Sequence, residues 1–161
     1  MSELSFVSPG EARSENGFAP RAASPLARAL AGADGIRDLS LLGKLEVRGP
    51  ISAIAADADV ISITPHRVLV VCDAGHVSAV RGRLPGTVVD VTAALAGIEV
   101  EGETLMRRLT DLALERLPAA GKVADVPALV SRNGARFRIF FPQEYGDSVV
   151  ETVRDAQDGV R

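Results

Sequence analysis

The chain has 161 residues, a formal charge of -3, 47% apolar side chains, five Phe, one Tyr and no Trp. That apolar fraction suffices for the core of one domain, whereas the charge and the few aromatics supply neither the basic field nor the stacking groups of a nucleic-acid binder, so no nucleic-acid partner is expected. No apolar run approaches membrane-spanning length, and the first ten residues include Glu3, Ser8, Pro9 and Gly10, so the expectations are no membrane partner and a cytoplasmic protein.

Residues 1–23 mix Ser, Pro, Gly, Ala and charged groups without a period, which predicts a mobile N-terminal tail, with a single domain over 24–161. Ser24-Pro25 supplies a cap and a first-turn proline for a short helix over Leu26–Leu30. From Gly43 the pattern has period two, with Leu45 and Val47 on a buried face and Lys44, Glu46 and Arg48 on an outer one. Pro50 opens a short helix over Ile51–Ala56, and Asp57 to Asp59 break it. Val60–Ile63 and Arg67–Cys72 read as strands joined by a turn at Thr64-Pro65-His66, and Ala74–Leu84 as a helix.

Thr87–Val91 and Gly97–Glu101 open a second half as strands. Leu105, Met106, Leu109, Leu112 and Ala113 then fall on one helical face, with Arg107, Arg108 and Asp111 opposite, predicting a helix over Glu103–Leu117. Pro118–Gly121 reads as a loop, and Val123–Val130 and Arg136–Phe141 as strands around a hairpin turn at Asn133-Gly134. Pro142 opens a last helix with a Val149, Val150, Val153, Ala156 stripe, fraying after Asp155.

The second half repeats the first. Asp38-Leu39-Ser40 matches Asp90-Val91-Thr92, Leu45–Gly49 matches Ile98–Gly102, and Arg67–Cys72 matches Arg136–Phe141. Two copies are too few for a solenoid, so the expected fold is α+β, one domain of two interlocked pseudo-symmetric strand and helix repeats, with Leu45, Val47, Ile98 and Val100 in one shared core.

Chemistry is sparse. His66 and His76 stand in no metal-ligand spacing and read as structural or solvated. Cys72, the single cysteine, excludes an internal disulfide and reads as a small core residue. Asp38 and Asp90 recur in both halves before a hydroxyl residue; local backbone hydrogen bonding is their simplest role, a pocket carboxylate the alternative. Glu46 and Glu99 read as solvated on the outer faces of their strands, and Arg107-Arg108 as the open side of a helix. No GxGxxG, GxxxxGK[ST] or GxSxG occurs, so dinucleotide, P-loop and hydrolase readings have no support. The expected catalytic, cofactor-binding and metal residues are none.

Asp38-Leu39-Ser40 with Leu42-Gly43-Lys44-Leu45-Glu46-Val47-Arg48-Gly49-Pro50 resembles the segment opening the folate-binding fold of the glycine-cleavage aminomethyltransferases. Phe137-Arg138-Ile139-Phe140-Phe141-Pro142-Gln143-Glu144-Tyr145-Gly146 resembles the strand and helix that close it. The short length and the Ser24-Pro25-Leu26 entry are closer to the gamma subunit of heterotetrameric sarcosine oxidase, over residues 24 to 156. The aminomethyltransferases carry a Gly-rich segment with paired aspartates that holds the catalytic carboxylate. Here Asp57-Ala58-Asp59 runs into the next strands without it, so that role is not carried over to Asp57 or Asp59. The resemblance implies a non-catalytic structural subunit of a flavin-dependent sarcosine or methylated-amine oxidase. It implies no cofactor on this chain, with FAD, FMN, NAD and tetrahydrofolate on larger partners of the alpha, beta and delta type. A stand-alone folate-binding or one-carbon transfer protein and a small oligomeric regulatory module are the alternatives.

Overall fold

The computed structural model describes residues 23–49 and 59–160. Along them lie strands β1 (Ile36–Asp38), β2 (Gly43–Arg48), β3 (Asp59–Thr64) and β4 (Arg67–Cys72), helix α1 (Val77–Arg81), strands β5 (Thr87–Asp90) and β6 (Leu95–Glu101), helix α2 (Glu103–Leu109), strands β7 (Ala119–Val123), β8 (Val126–Asn133) and β9 (Arg136–Pro142), and helix α3 (Gly146–Asp158). The strands form two antiparallel sheets, one ordered β1-β6-β9-β8-β7 and the other β3-β4-β2-β5.

The two halves exchange their first strands. β1 leaves its own half to pair with β6, placing Asp38 opposite Ile98, and β5 pairs with β2, placing Asp90 opposite Leu45. The pairing register repeats as well. Gly43 lies opposite Cys72 and Val47 opposite Val68 in one sheet, where the other has Ala96 opposite Phe141 and Val100 opposite Phe137. These are the positions matched in the sequence repeat, so its two blocks are equivalent strands of interlocked units.

Apolar side chains fix the layering. Val68 and Val70 of β4, with Leu45 and Val47 of β2, pack toward Val77, Val80 and Leu84. Their neighbours Leu69 and Val71 join Leu39, Ile61 and Phe140 between the sheets. On the far side, Ile98, Val100, Val130, Phe137 and Ile139 meet Leu105, Met106 and Leu109 of α2 and Val149, Val150 and Val153 of α3. The order is helix, sheet, sheet, helix, and β4 is apolar at every interior position because both its faces are covered. Leu26 seats on the last helix at Gly146, where an added Cβ would lie 2.5 Å from a Leu26 methyl and force that side chain to shift.

Several expectations are corrected. Leu45 and Val47 lie in a different cluster from Ile98 and Val100, because the two sheets stack and their outer faces point to separate helix layers. Leu26–Leu30 forms turns with a single i+4 bond, Leu30 N–H to Leu26 C=O, and no α-helix. Only Val77–Arg81 of the Ala74–Leu84 segment is α-helical, preceded by a 3-10 turn over Ala74–His76.

Helix α2 stops at Leu109. The hydroxyl of extended Thr110 donates to Lys122 C=O and accepts from Leu112 N–H, while the Leu109 carbonyl accepts from Ala124 N–H. Tertiary bonds thus replace the next helical turn. Of Pro118–Gly121, expected as a loop, all but Pro118 belongs to the strand Ala119–Val123, and the expected Val123–Val130 strand is divided by a turn at Ala124-Asp125, with φ of 50° and 62°. The β8–β9 turn is Gly134-Ala135 and not Asn133-Gly134: Asn133 is the last paired residue of β8, and only Gly134 has positive φ, as a type II′ turn requires. Pro142 ends β9, the last helix begins at Gly146, and it runs on to Asp158. Residues 1–22, the Ile51–Ala56 helix and Asp57 lie outside the described residues.

Candidate functional site

Asp38 and Asp90, the repeated acids, sit at equivalent corners where each exchanged strand enters its sheet. Each carboxylate accepts the backbone N–H two residues on, Ser40 at 2.8 Å and Thr92 at 2.9 Å, which closes the corner as an Asx turn. The equivalence extends to the next contacts. Leu39 N–H donates to Gly97 C=O and Val91 N–H to Lys44 C=O. The Ser40 hydroxyl contacts the Gly97 backbone at both N–H and C=O, and the Thr92 hydroxyl accepts Lys44 N–H. Burial opposes the Asp90 charge, but the Thr92 hydroxyl and N–H, with Arg81 and Lys44 nearby, outweigh it and hold the carboxyl below its ordinary value.

Lys44 and Gly97 are the unlike members of this symmetry. Phe140 lies across from Gly97, and a Cβ on Gly97 would stand 2.7 Å from its ring. Val71 lies across from Lys44, leaving room for a long side chain. The expected outward direction of Lys44 is therefore wrong: it is fully buried between the sheets, its Nζ donating to Ser40 C=O at 2.6 Å and Leu42 C=O at 2.8 Å. Burial lowers its pKa to about 8, against the pull of Asp38 and Asp90. The two carbonyl bonds to Nζ offset part of the cost of burying this charge. Through these two bonds Lys44 ties down the turn over residues 39–42.

Glu46 and Glu99 share a second equivalence. Arg67 holds Glu46 below the ordinary carboxylate range, with burial opposing and Arg48 assisting. Glu99 was expected on a solvated face, but it is buried, 5% exposed, because Arg138 donates to it at 3.0 Å and Arg37 and Arg136 lie 3.3 and 3.9 Å away. Arg138 also bonds to Asp59 of the other sheet. Asp59 is thus an ion-pair partner joining the sheets. The alternation of β6 gave the right face for Glu99 but could not reveal that this face is covered.

Among the other sequence candidates, His66 is an exposed turn residue and His76 is exposed beside Asp73. Cys72 ends β4 half-buried, its thiol pushed above its ordinary pKa by burial and by Asp73 and Asp90. Arg107 pairs with Glu103 on the exposed side of α2, and Arg108 is exposed. Among the described residues no group of three or more His, Cys, Asp or Glu side chains could hold a metal, and no helix is long and apolar enough to cross a membrane.

No protein-family model matches the chain, and no curated protein matches it by sequence. Solved structures do match. A chain of the heterotetrameric sarcosine oxidase of Corynebacterium sp. U-96, solved with pyrrole 2-carboxylate, superposes with a TM-score of 0.66 at 19% identity, over 86% of this chain and 95% of that one. The ligand-free regulatory subunit of Thermus thermophilus aspartate kinase gives a TM-score of 0.50 at 14% identity, over 76% of this chain and 97% of that one. At these identities the likeness is one of fold: the protein has an α+β fold similar to that of a sarcosine oxidase chain.

Proposed function

We propose that this chain is a non-catalytic assembly subunit of a multi-subunit, flavin-dependent oxidase of sarcosine or a related methylated amine. FAD, FMN, NAD and tetrahydrofolate would reside on its larger partners, and residues 24–161 would form one gamma-like domain. The observation carrying this reading is the match to a chain of heterotetrameric sarcosine oxidase along nearly the whole of that chain. The internal chemistry agrees with it, because Asp38, Asp90 and Lys44 are all engaged in fixing turns. A folate-dependent transferase would need a buried carboxylate beside an apolar slot, whereas buried Glu99 faces three arginines. Expressed alone, the protein should carry no flavin absorbance and oxidise no sarcosine; stoichiometric FAD or FMN on the isolated chain would overturn the proposal.

A small self-associating regulatory module is the second reading, favoured by the likeness to the aspartate kinase regulatory subunit. It predicts a stable oligomer of this chain alone, measurable by sedimentation equilibrium.

A further inference from the structure

The equivalent acids Glu46 and Glu99 are partnered differently, and the difference leaves donors free. Around Glu46, Arg67 donates through Nε and Nη2 and Arg48 through Nε. Around Glu99, Arg138 occupies the place that Leu69 has in the other half and takes the hydrogen bond to the carboxylate. Arg37, standing where the other half has Val89, and Arg136, the counterpart of Arg67, converge on Glu99 Oε1 at 3.3 and 3.9 Å. Neither makes a side-chain hydrogen bond among the described residues, and both side chains are more than half exposed.

These two guanidinium groups border an open depression of about 350 Å³ floored by Glu99, Val100 and Glu101. It exists because β6 continues to Glu101 while β1 begins at Ile36, and Gly35, with φ +74°, turns the chain aside. The three arginines here, Arg37, Arg136 and Arg138, are balanced in charge by Glu99, Glu101 and Asp59, so what the depression offers an anion is unused guanidinium donors and not net positive charge. Glu99 and Asp59 are bonded through Arg138, and Glu101, 3.8 Å from Arg136, is two-thirds exposed and screened by solvent.

We propose that the depression bordered by Arg37 and Arg136 binds the oxyanion of a small molecule, a carboxylate or phosphate received by the two guanidinium forks. Planar guanidinium donors suit such groups, and charge-assisted bonds are the stronger kind. The inference goes beyond the assembly role and does not depend on it.

The test is a titration of the ¹⁵N-labelled full chain with sodium malonate and, separately, sodium phosphate, at constant ionic strength against sodium chloride. The amides of Gly35 to Arg37 and Glu99 to Glu101 should shift saturably with at least one probe, and the tighter probe identifies the oxyanion. Arg37→Ala and Arg136→Ala should each weaken binding about tenfold or more, the scale of one lost charge-assisted bond. Arg48→Ala, whose Nε is engaged by Glu46, should leave binding unchanged. Shifts that merely track chloride, or saturable binding that survives the double substitution of Arg37 and Arg136, would overturn the proposal.

Discussion

Replacing Lys44 by methionine removes a buried cation of similar length and should change how stability responds to alkaline pH. The folded-state pKa of Lys44 is about 8, against an ordinary value of 10.5. Between those values the unfolded chain binds more protons than the folded one, so stability rises as pH rises through that window. For one such site, wild type should gain about 2–3 kcal/mol relative to Lys44→Met between about pH 7 and pH 10. At pH 7 two effects oppose each other: methionine relieves desolvation but leaves the Ser40 and Leu42 carbonyls without their Nζ donor, at about 1–3 kcal/mol for each unsatisfied group. The readout is therefore the pH dependence of the difference between the two proteins, from urea unfolding at several pH values. Taking the difference also cancels other groups such as Cys72, whose raised pKa acts with the opposite sign. Parallel stability curves for the two proteins would refute the account of Lys44 as a buried, destabilised ammonium.

Three further outcomes follow from the centre of the repeat. Gly97→Ala should destabilise by about 1–3 kcal/mol, because its Cβ meets the Phe140 ring; adding Phe140→Leu should cost less than the sum of the two single substitutions in thermal unfolding. Ser40→Ala removes the hydroxyl that bonds the Gly97 N–H and C=O and should cost about 1–3 kcal/mol by chemical denaturation. Cys72 should react with a thiol reagent at neutral pH far more slowly in the native protein than in urea, since its thiol is half-buried and its pKa raised.

The repeat was legible because strand pairing constrains residue type at matched positions. Asp38 and Asp90 close the same turn, and Arg67–Cys72 and Arg136–Phe141 are the same strand in two sheets. The local role favoured for both aspartates is the one seen. Alternation correctly separated Leu45 and Val47 from Lys44 and Glu46, but it cannot tell whether the second face meets water or another sheet, so the burial of Lys44 and Glu99 was missed. The α2 pattern was over-extended because Leu112 and Leu114 remain half-buried and buried after the helix ends. Leu112 packs over Gly121, whose missing Cβ makes room for it. The β7–β8 hairpin was hidden because Ala124-Asp125 carries no Gly or Asn to mark positive φ. The Arg37 and Arg136 depression depends on strands distant in sequence being adjacent, which no local pattern encodes.

The assembly role is tested most directly by purifying a tagged copy of this chain gently from its own host and recording both the co-purifying chains and the absorbance spectrum. The account predicts larger subunits in fixed stoichiometry together with a flavin band. A colourless preparation containing this chain alone would contradict it.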